Sequence, residues 1–97
     1  MRPLLVLIGD ADDWTLPGPC VEMAQGMRSR GADVSLVVYP GALHHFDVEG
    51  PARVVLPDVG NRNKPGECCG ATIGYDPAAA ADARRRVEEF FTRHLGR

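Results

Sequence analysis

Apolar residues run unbroken from Pro3 to Gly9 (PLLVLIG). The run is too short for a helix and rich in Leu, Val and Ile, which predicts a strand covered on both faces, as in a parallel sheet. Asp10 to Pro17 reads as a loop, with Pro17, Gly18 and Pro19 as breakers. Cys20, Met23, Ala24 and Met27 then recur at i, i+3, i+4 and i+7, one face of a helix. Pro19 suits its first turn, and Gly31 after Arg28 and Arg30 suits its C-terminal cap. Asp33 to Tyr39 (DVSLVVY) is a second strand. A helix of about a dozen residues between two strands is a crossover connection, so the strands are parallel and the crossover right-handed.

The pattern then changes. Residues 40–75 are polar and rich in Gly and Pro, and the loop proper spans about 48–75. Its one apolar stretch, Val54-Val55-Leu56, predicts a short strand or turn. A final helix follows, with Asp76 as N-cap and Pro77 in the first turn. Ala80, Ala83, Val87, Phe90, Phe91 and Leu95 make its apolar stripe, and Gly96 closes it. The fold class is α/β: a parallel βαβ unit, a long loop and a C-terminal helix. Two parallel strands leave both sheet edges open, so the chain reads as a single partial domain over 1–97, one end of a larger sheet.

Composition narrows the partners. The chain has 97 residues, 44% hydrophobic, with a net charge of -2. That balance argues against nucleic acid or an anionic membrane as a main partner. Arg84-Arg85-Arg86 is the one basic run, and it lies beside Asp82, Glu88 and Glu89, as on a mixed-charge helix surface. No apolar run reaches the ~18 residues of a membrane span. Met1 to Ile8 resembles a signal peptide only superficially, because Gly-Asp-Ala-Asp-Asp follows where a cleavage site belongs. Three cysteines, Cys20, Cys68 and Cys69, are an odd set and read as reduced thiols, with a cytoplasmic location as the matching expectation.

Two turns carry candidate chemistry. Gly9-Asp10-Ala11-Asp12-Asp13-Trp14-Thr15 follows the first strand, and Tyr39-Pro40-Gly41-Ala42-Leu43-His44-His45-Phe46-Asp47 follows the second. Each alone is more simply an ordinary loop. Parallel strands, however, bring both loops to one sheet edge, the edge where open α/β sheets bind ligands. A carboxylate beside an imidazole fixes its tautomer and stabilises the imidazolium formed on proton uptake. The order acid, then histidine, is the tail of the order nucleophile, acid, histidine. Trp14 and Phe46 flank this place, as walls of an acyl pocket or as ordinary packing.

These residues resemble a known family. PLLVLIGDADDWTLPGPC and VSLVVYPGALHHFD look like the corresponding parts of dienelactone hydrolase-like proteins, and KPGECCGATIGYDPAAAADARRRVEEFF is similar to the tail of one branch. The G-x-x-D and YPGAxHxF turns together are its most specific pieces. The resemblance implies the C-terminal portion of an α/β-hydrolase fold, and hydrolysis of a small ester or lactone through a cysteine or serine. No cofactor and no metal are expected. Position by position, Asp12 matches the triad acid and His44 the triad histidine. Asp13 ranks second for the acid, with Asp10 also a competitor. His45 stands where the family usually has a small residue, so either ring of the pair remains open. Leu16 stands where related sequences often have proline.

The nucleophile belongs on a G-x-[CS]-x-G turn before the acid, and no such turn precedes Asp12. Gly66-Glu67-Cys68-Cys69-Gly70 matches formally, but it follows the histidine and no buried strand leads into it. A vicinal thiol pair there, redox-active or metal-binding, is a minor alternative. A zinc set of His44, His45, Cys68 and Cys69 has the wrong spacing. The expectation is therefore an acid and a base without their nucleophile, and an isolated chain that does not hydrolyse. The competing expectation is a non-catalytic α/β module that binds a partner, or itself, through its open strand edge.

Overall fold

In a computed structural model that describes residues 2–63 and 69–96, the elements run β1 (Leu4–Gly9), α1 (Pro17–Ser29), β2 (Val34–Tyr39), β3 (Val54–Leu56), β4 (Ala71–Ile73) and α2 (Pro77–Leu95). β1 and β2 pair in parallel, Leu4 opposite Val34 through Gly9 opposite Tyr39. The expected β–α–β unit is therefore present. α1 begins earlier than the breakers suggested, at Pro17. A proline in the first helical turn forfeits only an N–H that has no intrahelical acceptor there. No helix among the described residues is long and apolar enough to cross a membrane.

The long segment after β2 holds more structure than its composition predicted. Val54-Val55-Leu56 is a strand, and it pairs antiparallel with β4 in a second two-stranded sheet. Beyond β4 the chain runs back past the β2 loop. The N–H groups of Gly74 and Asp76 donate to the carbonyls of His44 (3.1 Å) and Phe46 (2.9 Å). Asp76 then caps α2, accepting from the Ala79 N–H at 3.1 Å.

The buried core lies between the β2 loop and α2: Tyr39, Ala42, Phe46, Ala79 and Ala83, with Leu7 and Val37 packed against it. Alternate positions Val6, Ile8, Leu36 and Val38 face the other way, and α1 packs along both strands. Coverage is incomplete on both sides. Only Ala24 of the α1 stripe is buried, and the far half of the α2 stripe is open, with Phe91 48% and Leu95 64% exposed. An open groove of about 340 Å³ runs between Leu7, Phe46, Ala80, Ala83 and Val87.

Tyr39 ties β2 to α2, its hydroxyl donating to Asp82 at 2.7 Å. Asp82 also accepts from Arg85 (2.7 Å) and Arg86 (2.6 Å). This is the mixed-charge helix surface expected of the arginine run. Hydrogen bonds from Arg86, Tyr39 and Arg85 hold the Asp82 carboxyl well below the usual carboxylate range. Burial, and then the Asp82 hydrogen bond and charge, push the Tyr39 hydroxyl up to about 12 from its ordinary value of 10.0. The folded state thus favours neutral tyrosine. The stabilisation is full below pH 10.0 and is lost as pH rises through about 12. Tyr39→Phe should cost about 1 kcal/mol near neutrality, and in urea titrations it should flatten the decline in stability across that alkaline window.

Candidate functional site

The site is built where β1 and β2 end side by side. Gly9 closes β1 directly beneath the β2 loop. A Cβ there would overlap the carbonyl and Cβ of Ala42. That close approach lets the two loops bond directly: the Asp10 N–H donates to the Tyr39 carbonyl and the Ala11 N–H to the Ala42 carbonyl, both at 3.0 Å. Gly41 turns the β2 loop with φ +73, a conformation that costs glycine little.

The three aspartates of the first loop divide three tasks among them. Asp10 is exposed, and its Oδ1 accepts from the Gly41 N–H at 2.6 Å, which pins the two loops together. Asp12 is 5% exposed. Its Oδ1 accepts from the backbone N–H groups of Trp14 (3.0 Å) and Thr15 (2.7 Å), and its Oδ2 lies 3.0 Å from Nδ1 of His44. Asp13 is 8% exposed, and its carboxylate bonds neither histidine. Its carboxylate accepts from the Thr72 N–H (2.7 Å), the Thr72 hydroxyl (2.8 Å) and the Asn61 side-chain amide (3.0 Å). Its own carbonyl accepts from the Arg62 N–H at 2.7 Å. Asp13 therefore fastens the 57–63 loop and β4 to the first loop.

Sequence reasoning ranked Asp13 as a competitor for the histidine and did not find Asn61 or Thr72. The partners lie 48 and 59 residues along the chain, in a segment with no periodic pattern. No local signal could have found them.

Between the histidines, the geometry favours His44. Its ring bonds Asp12, stacks 4.5 Å from the Trp14 ring at 37°, and is partly open to solvent, its side chain 25% exposed. His45 is exposed, adopts φ +63, and packs its ring 4.8 Å from that of His44. A non-glycine residue in the left-handed region is strained, so a small or glycine-like residue would be easier there. With Asp12 accepting a hydrogen bond from Nδ1–H, Nε2 of His44 is left as the proton acceptor. An open cleft of about 280 Å³ adjoins the pair, lined by Leu7, Ile8, Gly9, Thr15, Leu43 and Phe46 among others. The pair can hold an imidazole in one tautomer beside a largely apolar cleft, which suits proton transfer at Nε2.

Cys20 is a free thiol on α1, whereas Cys69 is disulfide-bonded, which corrects the reading of all three as reduced thiols. Cys68, with Gly66 and Glu67 of the formal G-x-C-x-G match, lies outside the described residues. Of the four residues His44, His45, Cys68 and Cys69, Cys68 alone lies outside them. Among the described residues no group of three His, Cys, Asp or Glu side chains is placed to hold a metal ion.

No curated protein and no solved structure matches the chain. The model of one family, the dienelactone hydrolase family, matches residues 1–95. The parallel β1–β2 pair with its C-terminal helix is compatible with a fragment of the α/β-hydrolase fold. The match covers nearly the whole sequence, and the chain belongs to the dienelactone hydrolase family.

Proposed function

We propose that the chain carries the acid and the general base of an ester- or lactone-hydrolysing site, Asp12 and His44, and that the nucleophile they serve lies outside these 97 residues. The observation that carries this reading is the 3.0 Å contact between His44 Nδ1 and Asp12 Oδ2, with the second carboxylate oxygen already held by two backbone N–H groups. In the reaction, His44 Nε2 takes the proton from a serine hydroxyl or cysteine thiol as that atom bonds to the acyl carbon. Asp12 stabilises the imidazolium, which then gives its proton to the departing alkoxide. A water deprotonated by the same Nε2 attacks the acyl-enzyme, and the imidazolium returns that proton to the departing serine oxygen or cysteine sulfur as the acid is released. The apolar wall of Leu7, Ile8, Leu43 and Phe46 suits the carbon skeleton of such a substrate. General-base assistance of this kind is worth about 10²–10⁴-fold, and within these residues it has no nucleophile to activate.

Turnover of an aryl ester and of a simple lactone by the purified chain tests this. The expected result is no hydrolysis that depends on His44. Hydrolysis abolished by His44→Ala but kept in Cys68→Ser and Cys69→Ser would defeat the claim of an outside nucleophile while retaining the histidine.

A second reading rests on a different observation. β1 pairs on one side only, among the described residues, and its own Leu4 is exposed. A non-catalytic module that self-associates through that edge fits these features. Sedimentation decides it: a clean monomer at high concentration counts against edge pairing.

A further inference from the structure

Trp14 touches both members of the Asp12–His44 pair by two different means. Its backbone N–H donates to Asp12 Oδ1 at 3.0 Å. Its indole lies against the imidazole of His44, the ring centroids 4.5 Å apart and tilted by 37°. The same indole reaches His45 at 6.1 Å, and His45 in turn lies 4.8 Å from His44, so the three rings form a triangle with the His44 imidazole at one corner. His44 is a partly exposed loop side chain, and one hydrogen bond to Asp12 leaves its ring free to swing about that contact. A second contact, against the ring face, removes that freedom. Trp14 also sits two residues after the acid, so the turn that orients the carboxylate places the indole as well.

We propose that Trp14 is a positioning residue for this pair, orienting Asp12 through its backbone and holding the His44 imidazole through its indole face. The proposal rests on the reading of Asp12 and His44 as acid and base. Its chemistry is specific to the charged state: the imidazolium formed when His44 takes a proton meets the face of tryptophan, the aromatic ring that attracts a cation best. The groups that face His44 are Asp12 at its Nδ1, Trp14 and His45 against its ring, and Asp47, Thr15 and Leu43 in the adjoining cleft. Of these, Asp12, Asp47 and His45 carry or can take charge.

The chain contains a single tryptophan, so its emission reports this contact in the unmodified protein. A histidine ring in contact with an indole quenches its emission. His44→Asn should therefore brighten the emission of the folded chain at neutral pH, and His45→Asn should change it less. Emission that ignores His44→Asn, or that changes more in His45→Asn, overturns the proposal.

Nitrogen-resolved NMR of the imidazole gives the second arm. Aromatic pairs of this kind shift a two-state population about threefold to tenfold. Trp14→Leu should raise exchange of the His44 Nδ1 proton with water by about that factor, and Trp14→Phe should restore most of the protection. Asp12→Asn is the reference. If Asp12→Asn speeds exchange and Trp14→Leu does not, the role of Trp14 falls and the pair stands. If neither changes it, the pair itself falls, and the proposal with it.

Discussion

Asp13→Ala is expected to destabilise the chain by about 3 kcal/mol. The substitution strips three donors of their acceptor in a buried place: the Thr72 N–H, the Thr72 hydroxyl and one N–H of the Asn61 amide. A buried donor left without a partner costs about 1–3 kcal/mol. The sum is tempered because the Asn61 amide keeps its 3.1 Å bond to the Gly70 carbonyl. A loss of that size is a large part of the ~5–15 kcal/mol that holds a small domain together. It should also be local, because Asp13 joins the first loop to the 57–63 loop and to β4. Hydrogen exchange at Thr72 should therefore rise more than at Val37. Asp13→Asn keeps the shape and one carbonyl acceptor, and should cost roughly half as much. Urea titration measures both, and a loss under ~1 kcal/mol for Asp13→Ala would show that this junction contributes little.

Gly9→Ala should be as damaging, by a different route. The added methyl has no room: it meets the carbonyl carbon and oxygen of Ala42, which are backbone and cannot rotate aside. To relieve the overlap the two loops must part, and they are joined by the Asp10 and Ala11 N–H bonds. Overpacking a close contact costs about 1–3 kcal/mol, occasionally more, and the broken bonds add to this. The parting also separates Asp12 from His44, so this substitution should disturb the His44 ring signals in NMR. Gly18→Ala is the control. A Cβ at Gly18 meets nothing, and in the first turn of α1 alanine should be neutral or stabilising, by up to ~1 kcal/mol.

These two substitutions mark what was legible in the sequence and what was not. β1, α1 and β2 announce themselves through apolar periodicity, and a crossover of that length dictates parallel pairing. Parallel pairing then brings two strand-end loops together, so Asp12 and His44 could be matched although 32 residues separate them. Pro77 and Asp76 likewise marked the start of α2. The junction of Asp13, Asn61 and Thr72 had no such signal. It depends on contacts between irregular segments, and β3 and β4 are three residues each, too short for a pattern. A buried aspartate that bonds backbone, hydroxyl and amide donors looks, in sequence, like its neighbour that bonds an imidazole. The tertiary structure separates the two by turning successive side chains of one loop toward different partners. The expectation of strands covered on both faces was met only in part, because Leu5, Val6, Leu36 and Val38 are half-buried.

The protonation of the His44 ring tests the central claim most directly. A free histidine carries its neutral proton mainly on Nε2, whereas an imidazole oriented by a carboxylate carries it on Nδ1 and keeps Nε2 as the acceptor. Nitrogen chemical shifts of His44 near neutral pH should therefore show the Nδ1–H form in the unmodified chain, and a shift toward the free-histidine form in Asp12→Asn but not in Asp10→Asn. A His44 ring that carries its proton on Nε2 in the unmodified chain, or that ignores Asp12→Asn, would contradict the account.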